Sequence, residues 1–386
     1  MINLNDNFYK MKYKKYKNKY ITIKNQYGGG RIDQDKSTLE VAYETIDKDY
    51  KKLDELEKIL EKIDTIIRLV FINNKIDNDG ATKIAEFIKK LTKLKEFHLT
   101  SSNKYENGVI QKIAASLENM NTLSFIGGKF DSDIIIALAN SFEKMHNLTY
   151  LNLSFNTIGS SDAIKLANSF HNMSDLTYLN LSNNKIGSDG AIVLAMSFTH
   201  MSKLQILDLS NNNIDNKGAI ELASGFKHTR ELQTINLYNN KLGNIGVKAL
   251  ADSFQHIKQL VYFDLAYNNI SNEGVIELGN NLQHILQLKY LELDKNNIGD
   301  IGAIALAEKL KITSFTNVSD TDRLKVNLSN NIIGEECVTK LKEYKYNNIE
   351  IKLSNQNIQT QICIPNINGS HETMDDCEKN KNMEEL

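Results

Sequence analysis

The chain has 386 residues, and 41% of them are hydrophobic, so it is long enough to bury a sizeable core. Its formal net charge of −2 gives no global indication of a nucleic-acid or membrane partner. The three cysteines, an odd number, lie near the end of the sequence, and no apolar stretch has the length of a signal peptide or a membrane span. We therefore expect an intracellular protein that is neither secreted nor bound to a membrane.

Residues 1–30 form a basic leader, because residues 1–27 carry seven lysines against one aspartate. The run Gly28-Gly29-Gly30 predicts a hinge after it. The leader could contact RNA or an acidic surface, but a solvated or self-associating helix is the simpler interpretation. A 4-3-4-3-4 spacing, typical of a helical heptad seam, relates Tyr9, Tyr13, Tyr16, Tyr20, Ile23 and Tyr27.

This Tyr/Lys-rich leader followed by glycines resembles the N-termini of many proteins of giant viruses that infect amoebae. The resemblance is short and compositional. It implies a viral protein located in the host cytoplasm or in the virion.

Residues 31–65 are predicted to form a helical N-terminal cap. Ser37-Thr38-Leu39-Glu40 has the pattern of a capping box, in which a Ser or Thr begins a helix and a Glu three residues later bonds back to it. We expect this helix to run to about Lys62 and to cover the first unit of the repeat that follows.

A 28-residue repeat occupies residues 66–360. Its units read L-x-x-L-x-L-x-x-N-x-I, numbered here as positions 1 to 11, and continue as G-A-I-x-L-A-x-S-F. Weaker copies on both sides, and an insertion of seven residues around Thr313–Asp322, bring the prediction to eleven units. The strongest copies of positions 4 to 6 are Leu151-Asn152-Leu153, Leu179-Asn180-Leu181, Leu207-Asp208-Leu209, Ile235-Asn236-Leu237, Phe263-Asp264-Leu265 and Leu291-Glu292-Leu293.

Each unit predicts one short strand and one helix. The L-x-L alternation has the period of a strand with one buried face. The Asn at position 9 is expected to hydrogen-bond the backbone of the following turn, and a Gly at the next corner is expected to start the helix. Ala191, Leu194, Ala195 and Phe198 fall on one helical face, which a single unit cannot bury, so neighbouring units must stack.

Stacked strands lie about 4.8 Å apart, whereas packed helices need roughly 8–10 Å, so the array must bend with its strands inside. The 28-residue unit with a full helix resembles the ribonuclease-inhibitor-like class of leucine-rich repeats. This resemblance implies a right-handed α/β solenoid, shaped like a horseshoe, with parallel strands on the concave face and helices on the convex face. Most members of the class bind proteins.

The resemblance leaves two functions open. The first is a non-catalytic protein-interaction module. The second is a regulator of a small GTPase, because Ran GTPase-activating proteins carry the same repeat type and an acidic segment. Residues 361–386 form a shorter acidic tail here, which we expect to be disordered.

The concave wall is the candidate binding surface, since positions 3, 5, 7 and 8 of each strand point away from the helices. Tyrosines lie there beside carboxylates, and this pairing suits a basic protein ligand. Alternatively, the tyrosine pairs only stabilise neighbouring strands. The candidate residues are Tyr150, Tyr178, Asp208, Tyr238, Tyr262, Asp264, Tyr267, Tyr290, Glu292 and Asp294.

Nothing in the sequence predicts catalysis, a cofactor or a metal site, and we expect a monomer. No phosphate-binding glycine loop, nucleophile elbow or zinc-ligand spacing occurs. Four histidines also recur every 28 residues, but each is expected at a helix C-terminus, too far from the next to share an ion. They are His200, His228, His256 and His284.

Overall fold

A computed structural model describes most of the repeat region and short parts of the N-terminal region. The structural statements below concern these residues alone. They are residues 20–22, 30–33, 38–42, 66–72, 76–100, 108–128, 130, 132–315, 323–343 and 349–356.

In the described part of the chain, fourteen strands form a single sheet in the order of the sequence. From β3 onward every strand is parallel to the next, which leaves twelve parallel strands. The strands are β1 (Tyr20–Thr22), β2 (Gly30–Asp33), β3 (Thr38–Ala42), β4 (Arg68–Ile72), β5 (Glu96–Thr100), β6 (Thr122–Ile126), β7 (Tyr150–Asn152), β8 (Tyr178–Asn180), β9 (Ile206–Asp208), β10 (Thr234–Asn236), β11 (Tyr262–Asp264), β12 (Tyr290–Glu292), β13 (Leu324–Asn327) and β14 (Ile349–Lys352).

Helices alternate with the repeat strands, as predicted. Within the described residues they are α1 (Asn78–Lys90), α2 (Val109–Ala114), α3 (Ser132–Phe142), α4 (Ser160–Ser169), α5 (Gly187–Ser197), α6 (Asn216–Gly225), α7 (Gly243–Asp252), α8 (Asn272–Asn281), α9 (Asp300–Ile312) and α10 (Glu335–Glu343). None of them is long and apolar enough to cross a membrane.

The α/β solenoid predicted from the repeat is confirmed. Strands β4 to β14 occupy the eleven predicted positions. Tyr262 pairs with Tyr290, 28 residues later, whereas Tyr290 pairs with Lys325, 35 residues later, so the seven inserted residues lie between β12 and β13.

The predicted helical start at the N-terminal cap is wrong. Thr38–Ala42 is a strand that pairs in parallel with β4, although the sequence pattern was that of a capping box. Without it, β4 would present a row of unpaired backbone groups at the sheet edge, and satisfying those groups outweighs a local capping pattern. Leu39 is fully buried against the first repeat. The rest of the expected helix lies outside the described residues.

The leader also departs from its prediction where it is described. Tyr20 begins β1, which pairs antiparallel with β2, so the heptad helix is wrong at this residue. Gly30 begins β2, so this glycine belongs to the sheet rather than to a hinge. Residues 1–19 and 23–29 lie outside the described part of the chain.

The helices bury the face that the repeat predicted. Ala191, Leu194 and Ala195 of α5 are buried, and so is Phe198 in the 3₁₀ turn that ends this helix. The same phenylalanine recurs one repeat later as Phe226, with ring centroids 6.0 Å apart. The core is therefore a continuous layer in which each repeat packs against the next.

The sequence predicted that the repeated glycine starts the helix, and this is wrong for Gly218 in α6. Gly218 lies inside the first turn of α6, which begins at Asn216 with Asp215 as its N-cap. A Cβ atom on Gly218 would lie 3.1 Å from the Ser188 Cα and 3.2 Å from the Ala191 Cβ of the preceding repeat. The glycine is therefore needed for the close approach of neighbouring helices.

The asparagine at position 9 links each repeat to the one before it. The Asn212 amide nitrogen donates to the carbonyl oxygens of Leu209 and Ser210 in its own repeat and to that of Leu181 in the preceding repeat, over 2.9–3.1 Å. Its Oδ1 accepts a bond from the Ile186 amide, also in the preceding repeat. The prediction of a backbone contact is confirmed, but half of the bonds cross to the neighbouring unit. We call this series the asparagine ladder, and its members with these cross-repeat bonds include Asn156, Asn184, Asn212, Asn240, Asn268, Asn296 and Asn331.

Replacing Asn212 by Ala should lower the free energy of unfolding by about 2–4 kcal/mol, because three buried carbonyl groups would each lose one of their two donors and the buried Ile186 amide would lose its acceptor. Urea unfolding followed by circular dichroism measures this change. The neighbouring Asn213 is exposed at a φ of +57°, so Asn213→Gly serves as the control and should change stability by less than about 1 kcal/mol. Equal losses in the two variants would contradict the structural role of the ladder.

Candidate functional site

The strand face opposite the helices carries two columns of side chains in register. Position 3 supplies the first column, where Tyr150 pairs with Tyr178 and Tyr262 pairs with Tyr290. Position 5 supplies the second column, where Asp264 pairs with Glu292. Position 4, between them, is buried in the core throughout β7 to β12. The fold therefore places the predicted residues of positions 3 and 5 on one surface.

The tyrosines associate across neighbouring repeats. The rings of Tyr150 and Tyr178 stack with centroids 4.1 Å apart and planes 8° from parallel. Those of Tyr262 and Tyr290 are 6.0 Å apart and tilted by 46°. All four side chains are half-buried, so each pair stabilises adjacent strands and still presents aromatic surface to the solvent.

Two lysines, whose contacts with tyrosines the sequence did not predict, lie over the tyrosine rings. Lys325 places its Nζ 5.5 Å from the Tyr290 ring centroid, and Lys295 places its Nζ 5.8 Å from that of Tyr267. Tyr267 also stacks on Tyr238, with centroids 6.3 Å apart. Lys325 is 35 residues from Tyr290, and only the insertion explains that separation, so a search at the regular period of 28 would miss the pair.

Asp208 and Asp264 are buried rather than exposed, which corrects the acidic stripe expected from the sequence. Their side chains retain 8% and 9% of their accessible surface. In each, Oδ1 accepts a hydrogen bond of 3.0 Å from the backbone amide two residues later, at Ser210 and Ala266. Asparagines make the same bond at position 5 of other repeats, so the first role of this position is to end the strand. These asparagines are Asn152, Asn180, Asn236 and Asn327.

Burial reduces the negative charge of this surface. It raises the pKa of Asp264 to about 8, and Tyr262 donates its hydroxyl hydrogen to Asp264 Oδ2 at 3.0 Å. Burial also raises the pKa of Asp208, of Glu292, which accepts a bond from Asn327, and of Asp294. Near neutral pH the wall therefore has less net charge than its composition indicates.

A charged cluster lies toward the N-terminal end of the same wall, at positions 3 and 5 of the first two repeats. Arg68 Nε lies 3.1 Å from Glu96 Oε2 and donates to His98 Nε2 at 3.2 Å. Burial lowers the pKa of His98 below its usual value, which suits a neutral imidazole that accepts this bond. The cluster joins β4 to β5.

The periodic histidines lie where the helices end, as predicted. His200, His228 and His284 are the last residues of 3₁₀ turns, and His256 directly follows one. Cys337 is buried in α10, at the position of the repeated glycine, and burial raises its pKa to about 11. Among the described residues, no group of three or more His, Cys, Asp or Glu side chains could hold a metal ion.

Comparison with protein families identifies the repeat. The profile described as "Leucine Rich repeat" matches six segments, which confirms leucine-rich repeats in this part of the chain. The segments are residues 144–167, 172–195, 200–223, 230–251, 258–279 and 287–307.

Solved structures with a similar chain path include an internalin from Listeria monocytogenes str. 4b F2365. It is 18% identical, with a TM-score of 0.40, over 80% of this chain and 95% of the internalin chain. A chain of the yeast Rad7 and Elc1 complex is 15% identical, with a TM-score of 0.41, over 78% of this chain and 87% of that one. A comparison with curated protein sequences finds no match.

The substitution Asp264→Asn should remove a pH-dependent loss of stability. The pKa of Asp264 is about 8 in the folded chain, against about 4 in an unfolded chain, so the folded state holds the proton more tightly. This contribution to stability is complete below about pH 4 and is lost as the pH rises to about 8. Asn180, which bonds the Ser182 amide and the Tyr178 hydroxyl, shows that an asparagine fits the same position.

Urea unfolding of the two proteins between pH 5 and pH 9 tests this prediction. The variant should become the more stable one as the pH rises, and its advantage should grow by about 4 kcal/mol over the range, since each of the roughly three pH units between 5 and 8 contributes about 1.4 kcal/mol. A difference between the two proteins that stays constant with pH would show that Asp264 does not titrate in this window.

Proposed function

We propose that this chain is a non-catalytic protein-interaction module that holds a protein ligand against its concave wall. The observation that carries the proposal is the register of half-buried tyrosines at position 3, in β7 and β8 and again in β11 and β12. Tyrosines held in this way lose little conformational entropy on binding and are enriched among the residues that dominate interface energies.

The ligand is proposed to be basic where it meets Glu292 and Asp294. These carboxylates are half-buried beside the Tyr262–Tyr290 pair, and burial raises the pKa of each. An arginine or lysine of the ligand would stabilise their charged forms, so binding would release protons and strengthen as the pH rises. The same cation would compete with Lys325 for the face of Tyr290.

The remaining candidate residues extend this surface in two directions. The Tyr150–Tyr178 pair would serve as a second anchor toward the N-terminal end, and the Tyr238–Tyr267 pair would contact the ligand at the ends of the strands. Asp208 and Asp264 would act chiefly by holding the strand ends in place, because both are buried. Regulation of a small GTPase stays an untested alternative, which a GTP-hydrolysis assay with a panel of small GTPases would examine.

Replacing Tyr262 and Tyr290 together by Ala should prevent capture of the ligand, because two aromatic anchors contribute roughly 2 kcal/mol or more each. The wild type and the variant are immobilised separately, exposed to the same cell lysate, and compared by quantitative mass spectrometry. Circular dichroism must show that the variant keeps its native fold.

The control is the charge exchange Lys248→Glu with Glu277→Lys on the helix side. These two exposed side chains form an ion pair of 2.7 Å, and the exchange keeps the pair in reversed orientation. A protein captured by the wild type and the control, but lost by the tyrosine variant, supports the proposal. Capture by all three at equal strength would place the binding surface elsewhere.

A further inference from the structure

Position 8 of the repeat lies at the strand ends, beside the concave wall, and holds its residue in a left-handed conformation. Asn183, Asn211 and Asn239 have φ values between +51° and +56° there, which asparagine tolerates better than most residues. Their backbone amides continue the ladder of bonds between repeats, for example from Asn239 to the Ala266 carbonyl. Backbone geometry alone therefore explains an asparagine at this position.

Backbone geometry does not explain the next two repeats, where Tyr267 and Lys295 adopt φ values of +60° and +53°. A tyrosine or a lysine is strained in this region, and such strain is concentrated at functional sites. Tyr267 is also 51% exposed, so burial does not offset the cost. Phe155 makes the same departure in an earlier repeat, with a φ of +58° and 59% exposure, so the residues at position 8 that replace asparagine point to a surface role for this end of the strands.

The asparagines beside Tyr267 form an amide pair that is only partly satisfied. Asn239 Nδ2 donates to Asn211 Oδ1 at 2.6 Å. This bond leaves Asn239 Oδ1 as an acceptor and Asn211 Nδ2 as a donor, and neither has a hydrogen-bond partner among the described residues. We call Asn211 and Asn239 the rim amide pair. It borders an open cavity of about 250 Å³ whose lining also includes Asn213, Asn240 and Lys241.

We propose that the rim amide pair binds the main chain of an extended peptide segment belonging to the protein ligand. One residue of an extended peptide presents its N–H and its C=O toward the same side, which matches one free acceptor and one free donor. Binding through the main chain gives affinity without a strict requirement on sequence. The inference rests on the proposed function, since it treats the ligand as a protein.

The surroundings of Tyr267 favour a peptide over a carbohydrate. A sugar would pack on an open aromatic face, but Tyr238 from the preceding repeat stacks on Tyr267, and Lys295 from the following repeat lies over the same ring. Tyr267 nevertheless keeps 51% of its surface exposed. This exposed surface can contact a peptide side chain that follows the residue held by the rim amide pair.

The test uses a phage-displayed library of random dodecapeptides selected on the wild-type protein, with affinity measured by fluorescence anisotropy. Asn211→Gly and Asn239→Gly should each weaken the selected peptides about tenfold, because glycine keeps the left-handed backbone and removes the amide. Asn183→Gly makes the same backbone change away from the pair and should leave affinity unchanged.

Methylation of the peptide nitrogens, one at a time, identifies main-chain recognition. Methylation at one peptide residue should weaken binding to the wild-type protein about tenfold. The same methylation should have little further effect on peptide binding to the Asn239→Gly variant, whose acceptor for that N–H is already missing. Selected peptides that ignore both glycine variants would overturn the inference, and so would a library that yields no binder. A glycan array on which binding is lost in both variants would overturn it in favour of a carbohydrate.

The variant that replaces Tyr262 and Tyr290 by Ala separates this inference from the proposed function. Peptides that bind this variant normally but fail to bind the glycine variants would support peptide binding by the rim amide pair. They would also show that Tyr262 and Tyr290 do not anchor the ligand. Peptides that bind the glycine variants normally but fail to bind the tyrosine variant would support Tyr262 and Tyr290 as anchors and overturn the inference about the rim amide pair.

Discussion

The asparagine ladder is the interaction on which the rest of the structure depends. Each ladder amide lies in the interior, where an unpaired polar group is costly, and bonds carbonyl groups of its own repeat and of the repeat before it. The same side chain therefore closes a turn and fixes the distance to its neighbour. At the last described repeat, Gln356 replaces the asparagine and still donates to the Leu328 carbonyl while accepting from the Asn331 amide. The longer amide continues the ladder where the repeat sequence degenerates.

Regular stacking turns sequence positions into surface columns. Because neighbouring strands pair residue for residue, position 3 always meets position 3, and tyrosines 28 residues apart become stacked rings. Regular stacking also supplies an internal comparison. At positions 5 and 8 several repeats carry an asparagine for a known backbone reason, so Asp264 at position 5 and Tyr267 at position 8 are departures that the fold does not require. Such departures identify candidate functional residues without recourse to another protein.

The buried carboxylates of the same wall stabilise the strand ends, but burial makes their charged forms less favourable. An aspartate at position 5 makes the strand-ending bond that an asparagine makes elsewhere, but its charged form is poorly solvated there, so the pKa of Asp264 rises to about 8. The carboxylates nearer the surface, Glu292 and Asp294, lie close to Lys295 and Lys352, which partly compensate their charge. A ligand would therefore meet aromatic and hydrogen-bonding groups first and net charge second.

Periodicity in the sequence determined the number of units, the positions of the strands, the buried helix face and the place of the insertion, since each depends on residues close together in one repeat. Tertiary structure alone decided the features that depend on a neighbouring unit. Thr38–Ala42 is a strand because an open sheet edge lies beside it, and Asp264 is buried because adjacent strands enclose it. Lys325 reaches Tyr290 across 35 residues of sequence because β12 and β13 pair, and Asn239 bonds Asn211 only when their repeats stack. The period of a sequence fixes the fold of each unit, whereas pKa values, ring contacts and partly satisfied amides depend on distances that exist only between stacked units.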